Sequence, residues 1–437
     1  MYYRIVILLC FTSLSVFSQT LTYKYVDSIT YYQLINNQSD SLIKVADTAW
    51  KENIDFYYLR MRVGVVYYNN KNFEKALPHF IRANEMNPAD TITQEYLYYS
   101  YIFSDRKNEA DIFAEKLEPF MKNKFQYKKN KIEAISIAGG YAYTSNSEQG
   151  KTKPIISKYN IYGEALYQGN LIYSNALIEY KISNRTKMMC GMWYYYTSNV
   201  GVVNIPDRLK WKEFQDSHYQ YNIGMSYYYK NGWNASVAGS YYIQNSSVYS
   251  AKFNESTNKY NFLEFNSQVN SYAIVLGIGK RIGKVHPVLN LATANFTNQQ
   301  QLQAEGTLVF YPFGNTNVYS YSGLSYQNDN AENRFVFFQK VGIRLHKIIW
   351  AEGNFSYGNH FNYISKFASL TYNTVEPIQL ISGFDLKLYL KRLELIIGYR
   401  FQQLQGKYIY YTAPVDFKTQ KYYYTNHLIS TTLKWNF

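Results

Sequence analysis

The chain has 437 residues, 50 of them Tyr, with aromatics at 19% and a net charge of +14. After Val16 no run of about eighteen apolar residues occurs, which excludes a helical membrane span. The basic residues are scattered and form no basic helix or RNA-recognition motif, which argues against a nucleic-acid partner.

The first predicted element is a secretory signal peptide over residues 1–18: Arg4 precedes an apolar stretch from Ile5 to Phe17, and small Ser18 leads into Gln19. Cys10 falls inside it, and its Leu8-Leu9 context lacks the small residues that precede a lipoprotein cysteine. A mature chain cut there keeps only Cys190 and holds no internal disulfide.

Residues 19–121 read as helical. The sharpest segment runs from Tyr57 to Pro88, where Val63, Gly64, Tyr67, Ala76, Phe80, Ala83 and Pro88 stand at the signature offsets of a tetratricopeptide repeat. Gly64 and Ala76 would let two antiparallel helices approach, Tyr67 and Phe80 would fill the space between them, and Pro88 would end the second helix. Thirty-four residues on, Tyr101 and Ala110 repeat the Tyr67 and Ala76 positions, with Tyr98 in the glycine place and Ala114 in the aromatic place. Weaker matches between Ser28 and Lys51 suggest a preceding helical pair. This part resembles a tetratricopeptide domain, which implies either a protein-binding platform or a plain helical spacer. Lys122, Lys124, Lys128 and Lys129 mark residues 122–130 as a basic linker.

From Lys131 to Phe437 the period switches to two, the pattern of strands with one wet and one apolar face. This region carries most of the charge, with 29 Lys+Arg against 17 Asp+Glu, while residues 20–130 hold 15 against 14. Phe384, Leu386, Leu388 and Leu390 alternate with Asp385, Lys387 and Tyr389. After a turn at Lys391-Arg392, Leu393, Leu395, Ile397, Tyr399 and Phe401 alternate with Glu394, Gly398, Arg400 and Gln402. Short turns are predicted at Ser183 to Arg185, Lys230 to Gly232, Gly283-Lys284, Phe313 to Asn315 and His346-Lys347. Longer polar connections are predicted near Asn199 to Ser217, Ser246 to Gln268, Asn298 to Gln300, Asn328 to Glu332, His360 to Glu376 and Gln405 to Lys421. With a first strand from Ile132 to Ser145, the count is about fourteen; a further hairpin within Lys158 to Gly169 would make it sixteen.

The last strand alternates through Tyr423, Thr425, His427, Ile429, Thr431, Leu433, Trp435 and Phe437. It resembles the closing strand of bacterial outer-membrane β-barrels, with Leu433, Trp435 and Phe437 as the barrel-assembly signal. That resemblance implies an outer-membrane location, contact with lipopolysaccharide and recognition by the barrel-assembly machinery, with the helical domain in the periplasm. The Tyr content suits aromatic girdles, and a mean hydropathy of -0.37 is compatible with a wall that shows only every second residue to lipid. The expected fold is therefore α + β multidomain: tetratricopeptide-like helices, then an antiparallel transmembrane β-barrel over residues 131–437.

Strand parity turns Lys340, Arg344, Glu352, Asn354, Asp385, Lys387, Glu394, Arg400, Gln303 and Glu305 toward the lumen. Such mixed charges either select solutes or pair to stiffen the barrel. His79, His218, His286, His346, His360 and His427 have no Ser or acid placed beside them by a recognisable motif, so no catalytic residues are expected. Nor is a metal or cofactor, for want of paired His or clustered Cys. The order of parts resembles the outer-membrane exporters of exopolysaccharides, in which repeats contact periplasmic enzymes or the polymer and a charged lumen guides the chain. Two functions remain open: a channel for polysaccharide or solutes with a periplasmic protein partner, or a non-conducting barrel anchor whose repeats scaffold an envelope assembly.

Overall fold

A computed structural model describes residues 21–127, 130–158, 161–206, 208–229, 232–257, 259–297, 299–329, 332–365, 370–372, 376–412 and 416–437. The expected signal peptide, and Lys128 and Lys129 of the expected linker, lie outside the described residues. The chain divides into two compact units, Met1–Ser104 and Asp105–Phe437.

Among the described residues of the first unit five helices follow one another: α1 (Tyr23–Ile35), α2 (Ser39–Lys51), α3 (Tyr57–Asn69), α4 (Phe73–Met86) and α5 (Thr91–Phe103). Side chains of Thr22, Asn72 and Asp90 accept from backbone N–H groups in the first turns of α1, α4 and α5, satisfying donors that the helix itself leaves open. Val26, Leu42, Ala46, Leu59 and Val63 form one buried cluster. Between α3 and α4 the approach is close. A Cβ at Gly64 would come within 2.5 Å of the Phe80 ring, while Ala76, Phe80 and Ala83 are fully buried. Tyr67 stacks on His79 at 5.7 Å. Pro88 stands just past the end of α4, and its carbonyl accepts from Gln94 Nε2 at 2.8 Å.

The second unit opens with α6 (Lys107–Ala114) and α7 (Pro119–Lys124). Lys122 and Lys124, expected in a linker, form the last turn of α7 instead. Pro119 starts that helix at a position where no backbone N–H is needed, and the two lysines suit the negative end of its dipole. Ala110 and Ala114 are fully buried on α6.

Among the described residues seventeen strands follow, with an α-helix, α8 (Asn146–Thr152), and a short 3-10 helix (Ile155–Lys158) between the first two. They are β1 (Ile132–Tyr143), β2 (Gly163–Tyr167), β3 (Leu171–Lys181), β4 (Thr186–Ile205), β5 (Arg208–Tyr228), β6 (Trp233–Asn254), β7 (Lys259–Lys280), β8 (Val285–Phe296), β9 (Gln299–Phe310), β10 (Val318–Asn328), β11 (Asn333–His346), β12 (Ile349–Gly358), β13 (Tyr363–Ser365), β14 (Leu370–Tyr372), β15 (Ile378–Leu390), β16 (Leu393–Tyr411) and β17 (Phe417–Asn436). All except β2, β13 and β14 join one closed, antiparallel ring of 14 strands. β1 seals it by pairing with β3 on one side and with β17 on the other, from Ala134 opposite Asn436 to Tyr143 opposite His427.

Alternation decides which face is which. Along β7, Ile274, Leu276 and Ile278 are 46–57% exposed, whereas the intervening Ala273 and Val275 are at most 3% exposed. The outer surface is thus a belt of Ile, Leu, Val, Phe and Tyr, and the wall turns its polar and small residues inward, as a barrel in lipid requires. Among the described residues no helix is long and apolar enough to cross a membrane.

Among the described residues the predicted short turns at Ser183 to Arg185, Gly283-Lys284, Phe313 to Asn315, His346-Lys347 and Lys391-Arg392 stand at one end of the barrel, while Lys230 and Asn231 of the remaining one lie outside the described residues. At the other end three of the predicted loops are not loops. Residues 199–205 with 208–217, 246–254 with 259–268, and 405–411 with 417–421 continue the ladders of β4–β5, β6–β7 and β16–β17. Val200, Val202, Val203, Trp211 and Phe214 explain the first of these, since β-branched and aromatic residues favour a strand even where the flanking sequence is polar.

The segment in which a further hairpin would have raised the count to sixteen supplies, among its described residues, a single strand, β2, which bridges β4 and β16 outside the ring. With Ile156 it buries Ala165 and Tyr167 against Val202, Leu404 and Tyr408. The connection expected after His360 also has structure. β13 and β14 pair only with each other and lie inside the barrel.

Candidate functional site: the barrel lumen

The lumen is shaped by two insertions. At the short-turn end, residues 105–127 cross the mouth: Asp105 accepts from the Tyr311 hydroxyl just after β9, and Asp111 meets Lys181 at the end of β3 at 2.6 Å. Those two anchors lie nearly opposite each other in the ring. Tyr127 adds a hydrogen bond of 3.0 Å to Asn184.

The β13–β14 hairpin fills the middle. It enters at Gly358, whose φ of +131° is open to glycine but strained for other residues. His360 then hydrogen-bonds the carbonyls of Gly358 and Ile378, and its Nε2 lies 2.6 Å from Ser356 Oγ. The barrel wall holds the hairpin through side chains. Gln303 Nε2 donates to the Ile364 carbonyl at 2.7 Å while its Oε1 accepts from the Ile364 N–H at 3.1 Å. Tyr363 donates to Glu305 at 2.6 Å, and the Tyr242 hydroxyl lies 2.6 Å from Thr371 Oγ1. Ile364 packs on Tyr242 and Phe296 over a wall thinned to Ala238, Ala273, Ala292 and Ala294. Small inward residues there leave the room that the hairpin occupies.

Next to the hairpin lies a layer of charge on β11, β12, β15 and β16. Glu352 is almost fully buried, with Lys387 at 2.8 Å, Lys340 at 3.4 Å and the Tyr319 hydroxyl also donating to it. Arg400 grips both oxygens of Asp385 at 2.6 and 2.8 Å. The antiparallel register sets this up, because Glu352 stands opposite Asp385. Paired and hydrogen-bonded charges can be retained in such an enclosed setting, where lone ones could not.

The remaining sequence-derived candidates are dispersed. Arg344 folds back on its own turn, donating to the carbonyls of His346 and Lys347 and lying 4.7 Å over the Trp350 ring. Glu394 sits opposite Tyr389 next to the Lys391-Arg392 turn. Asn354 faces Lys340 across the β11–β12 register. Leu433 and Trp435 fall on the exposed outer face of β17, and Phe437 just beyond it is exposed too.

Two cavities meet at the charged layer, of about 410 and 750 Å³, and Lys340, Glu352, Asp385 and Arg400 line both. The larger runs toward Asp105 and Tyr311, the smaller toward the long hairpins. The sequence alone did not single out the wall of the smaller one, Tyr173, Trp193, Tyr195 and Asn426, and His218 beside them was weighed only as a catalytic candidate. The signal was there, since Trp193 and Tyr195 are two apart on β4 and share a parity. Among the described residues no group of His, Cys, Asp and Glu is arranged to hold a metal ion.

No protein-family model matches the sequence, and no curated protein matches it. Solved structures similar to it include the toluene transporter TodX of P. putida, at TM-score 0.46 and 7% identity, covering 72% of this chain and 92% of that one. A Pseudomonas aeruginosa FadL homologue gives 0.47 and 8%, covering 70% and 91%. A bacterial polysaccharide outer-membrane secretin gives 0.35 and 9%, covering 71% and 100%.

Proposed function

We propose that the chain is an outer-membrane β-barrel that passes small solutes through a lumen gated by its own inward hairpin, with the helical unit serving as a periplasmic tetratricopeptide adaptor for a protein partner. The closed ring and its apolar outer belt support the membrane setting, because a barrel satisfies every backbone group without an exposed edge. The observation that carries the gated reading is the attachment of β13–β14. Its ladder is separate from the ring, and apart from the backbone bond of His360 to Ile378 the described contacts that hold it run through wall side chains such as Gln303, Glu305 and Tyr242. A plug held in this way can leave without breaking the barrel. An exopolysaccharide would have to displace this hairpin and also the residues 105–127 at the other mouth, so solutes of the size of the two cavities fit better.

Planar-bilayer recording tests the reading. The full chain should show rare, brief openings, and replacing residues 361–374 with a short Gly-Ser turn should give a steady ohmic conductance. If the shortened barrel is correctly folded and silent, passage is wrong and the barrel is an anchor for the helical unit.

A further inference from the structure

The smaller lumen cavity has two unlike walls. On one, Trp193 and Tyr195 have their ring centroids 5.9 Å apart and their planes parallel to within 6°. Tyr173 on the neighbouring strand extends the sheet of rings at 6.0 Å from Trp193 and 6.1 Å from Tyr195. Three rings thus gather in one aromatic cluster on the lumen wall, the Trp193 and Tyr195 planes parallel and Tyr173 tilted to them by 30° and 35°. The other wall is polar and of mixed sign. Lys340, Lys387 and Arg400 stand there with Glu352 and Asp385, and Asp216, on β5 beside the rings, brings the whole lining to three cations against three acids.

The balance of charge decides against an ionic ligand, because neither an anion nor a cation would find an excess of the opposite sign. What the lining does offer is hydrogen bonding in both directions. The Trp193 indole N–H, His218 Nε2 and Asn426 Oδ1 are all buried, on side chains no more than 9% exposed, and have no hydrogen-bond partner among the described residues. Buried polar atoms are ordinarily satisfied, and three on side chains that line the same cavity point to something that satisfies them. A ligand that fits has an apolar face to lie on the rings and a periphery that both donates and accepts. A pyranose has that chemistry: its axial C–H groups make a flat apolar face, and its hydroxyls supply donors and acceptors around the edge. A cavity of about 410 Å³ has room for one or two such rings.

We infer that this cavity is a binding site for a neutral mono- or disaccharide, stacked on Tyr173, Trp193 and Tyr195 and held at its edge by Asn426, His218 and the paired charges of Lys340–Glu352 and Asp385–Arg400. The inference rests on the solute-passage reading for its biological sense but not for its chemistry. The aromatic platform supplies affinity without demanding one sugar, and the paired charges orient hydroxyls. A charged residue already bridged to its partner can still donate or accept a further bond at little electrostatic cost.

Saturation-transfer NMR and titration calorimetry on the full chain in detergent test this directly, with maltose, cellobiose, lactose and mannobiose as probes and benzoate and spermidine as ionic controls. At least one disaccharide should bind and show transfer to its C–H face. Trp193→Ala should weaken that binding about tenfold. Asn426→Leu, which keeps the platform, should also weaken it, and both variants must retain the heat-dependent gel shift of a folded barrel. Binding of benzoate or spermidine with none of the disaccharides overturns the inference, as does disaccharide binding that survives both substitutions, or no binding by any probe. Conductance from the hairpin-shortened barrel separates the two readings: a conducting barrel that binds no sugar defeats only this inference, and a sugar-binding barrel that never conducts defeats only passage.

Discussion

The Tyr363 hydroxyl lies 2.6 Å from Glu305 Oε2, and this contact joins the inward hairpin to strand β9. Glu305 keeps a second, longer bond to Asn290 at 3.3 Å, so its carboxylate is shared between the gate and the wall. A hydrogen bond to a charged group is worth about 1.5–3 kcal/mol. Tyr363→Phe should therefore raise the open probability in single-channel recordings about tenfold or more, with unit conductance unchanged. An unchanged open probability would show that the latch lies elsewhere on the hairpin.

The charged layer predicts ion preference. Glu352 is the carboxylate shared by Lys340 and Lys387, and Glu352→Gln leaves both cations without it. In the hairpin-shortened barrel, reversal potentials in a KCl gradient should then move toward chloride, whereas Lys387→Met should move them toward potassium. Removing the shared partner of two enclosed charges should also cost stability, by about 3 kcal/mol. Equal reversal potentials in all three proteins would mean that the layer only stiffens the wall.

Acid should loosen the helical unit in a defined window. Burial, reinforced by the positive charge of Arg60, pushes His79 from 6.5 down to about 4, with Asp55 opposing. Folded His79 is therefore neutral, and its contribution is fully present above pH 6.5 and lost as pH falls from there toward 4, because the unfolded chain takes up the proton first. The loss is on the order of 2 kcal/mol, allowing for partial exposure of the ring. Asp55 and Asp90 act lower. Burial alone would raise each, but hydrogen bonds to Arg60 for Asp55, and to Thr93 and Tyr57 for Asp90, hold both below 3.8. Trp50 stacks on His79 at 5.2 Å and so reports locally. Its fluorescence melt should shift down between pH 6.5 and 4.5, and His79→Gln should flatten that shift.

Gly64 makes the α3–α4 approach possible, since a Cβ there meets the Phe80 ring. Gly64→Val should destabilise this unit by about 2 kcal/mol. Limited proteolysis of the full chain should then cut faster between Tyr23 and Phe103 while the barrel resists as before.

How far the sequence could be read depended on whether the deciding contacts were local. β15, β16 and β17 announce themselves through strict alternation, and Lys391-Arg392 marks their turn, because pleat and turn chemistry are written within a dozen residues. From those strands parity reached Glu352, Asp385 and Arg400 directly. The hairpin around Tyr363 gave no such sign. Its few polar and aromatic residues read as a loop, and its place inside the barrel is settled by Gln303 and Glu305, about sixty residues earlier in the chain. The aromatic platform escaped for a related reason: Tyr173 and Trp193 meet only once β3 and β4 are in register.

The seam between β1 and β17 orders events in time. Ala134 finds its partner at Asn436, and the loop between them is nearly the whole barrel. Closing so long a loop is entropically uphill until many other pairings exist. Hairpins such as β6–β7 can zip as soon as they are made, but the cylinder keeps unpaired edges until β17 joins β1 to β16. For as long as synthesis and delivery take, the danger to this chain is therefore not unfolding but premature edge-to-edge pairing with a neighbour.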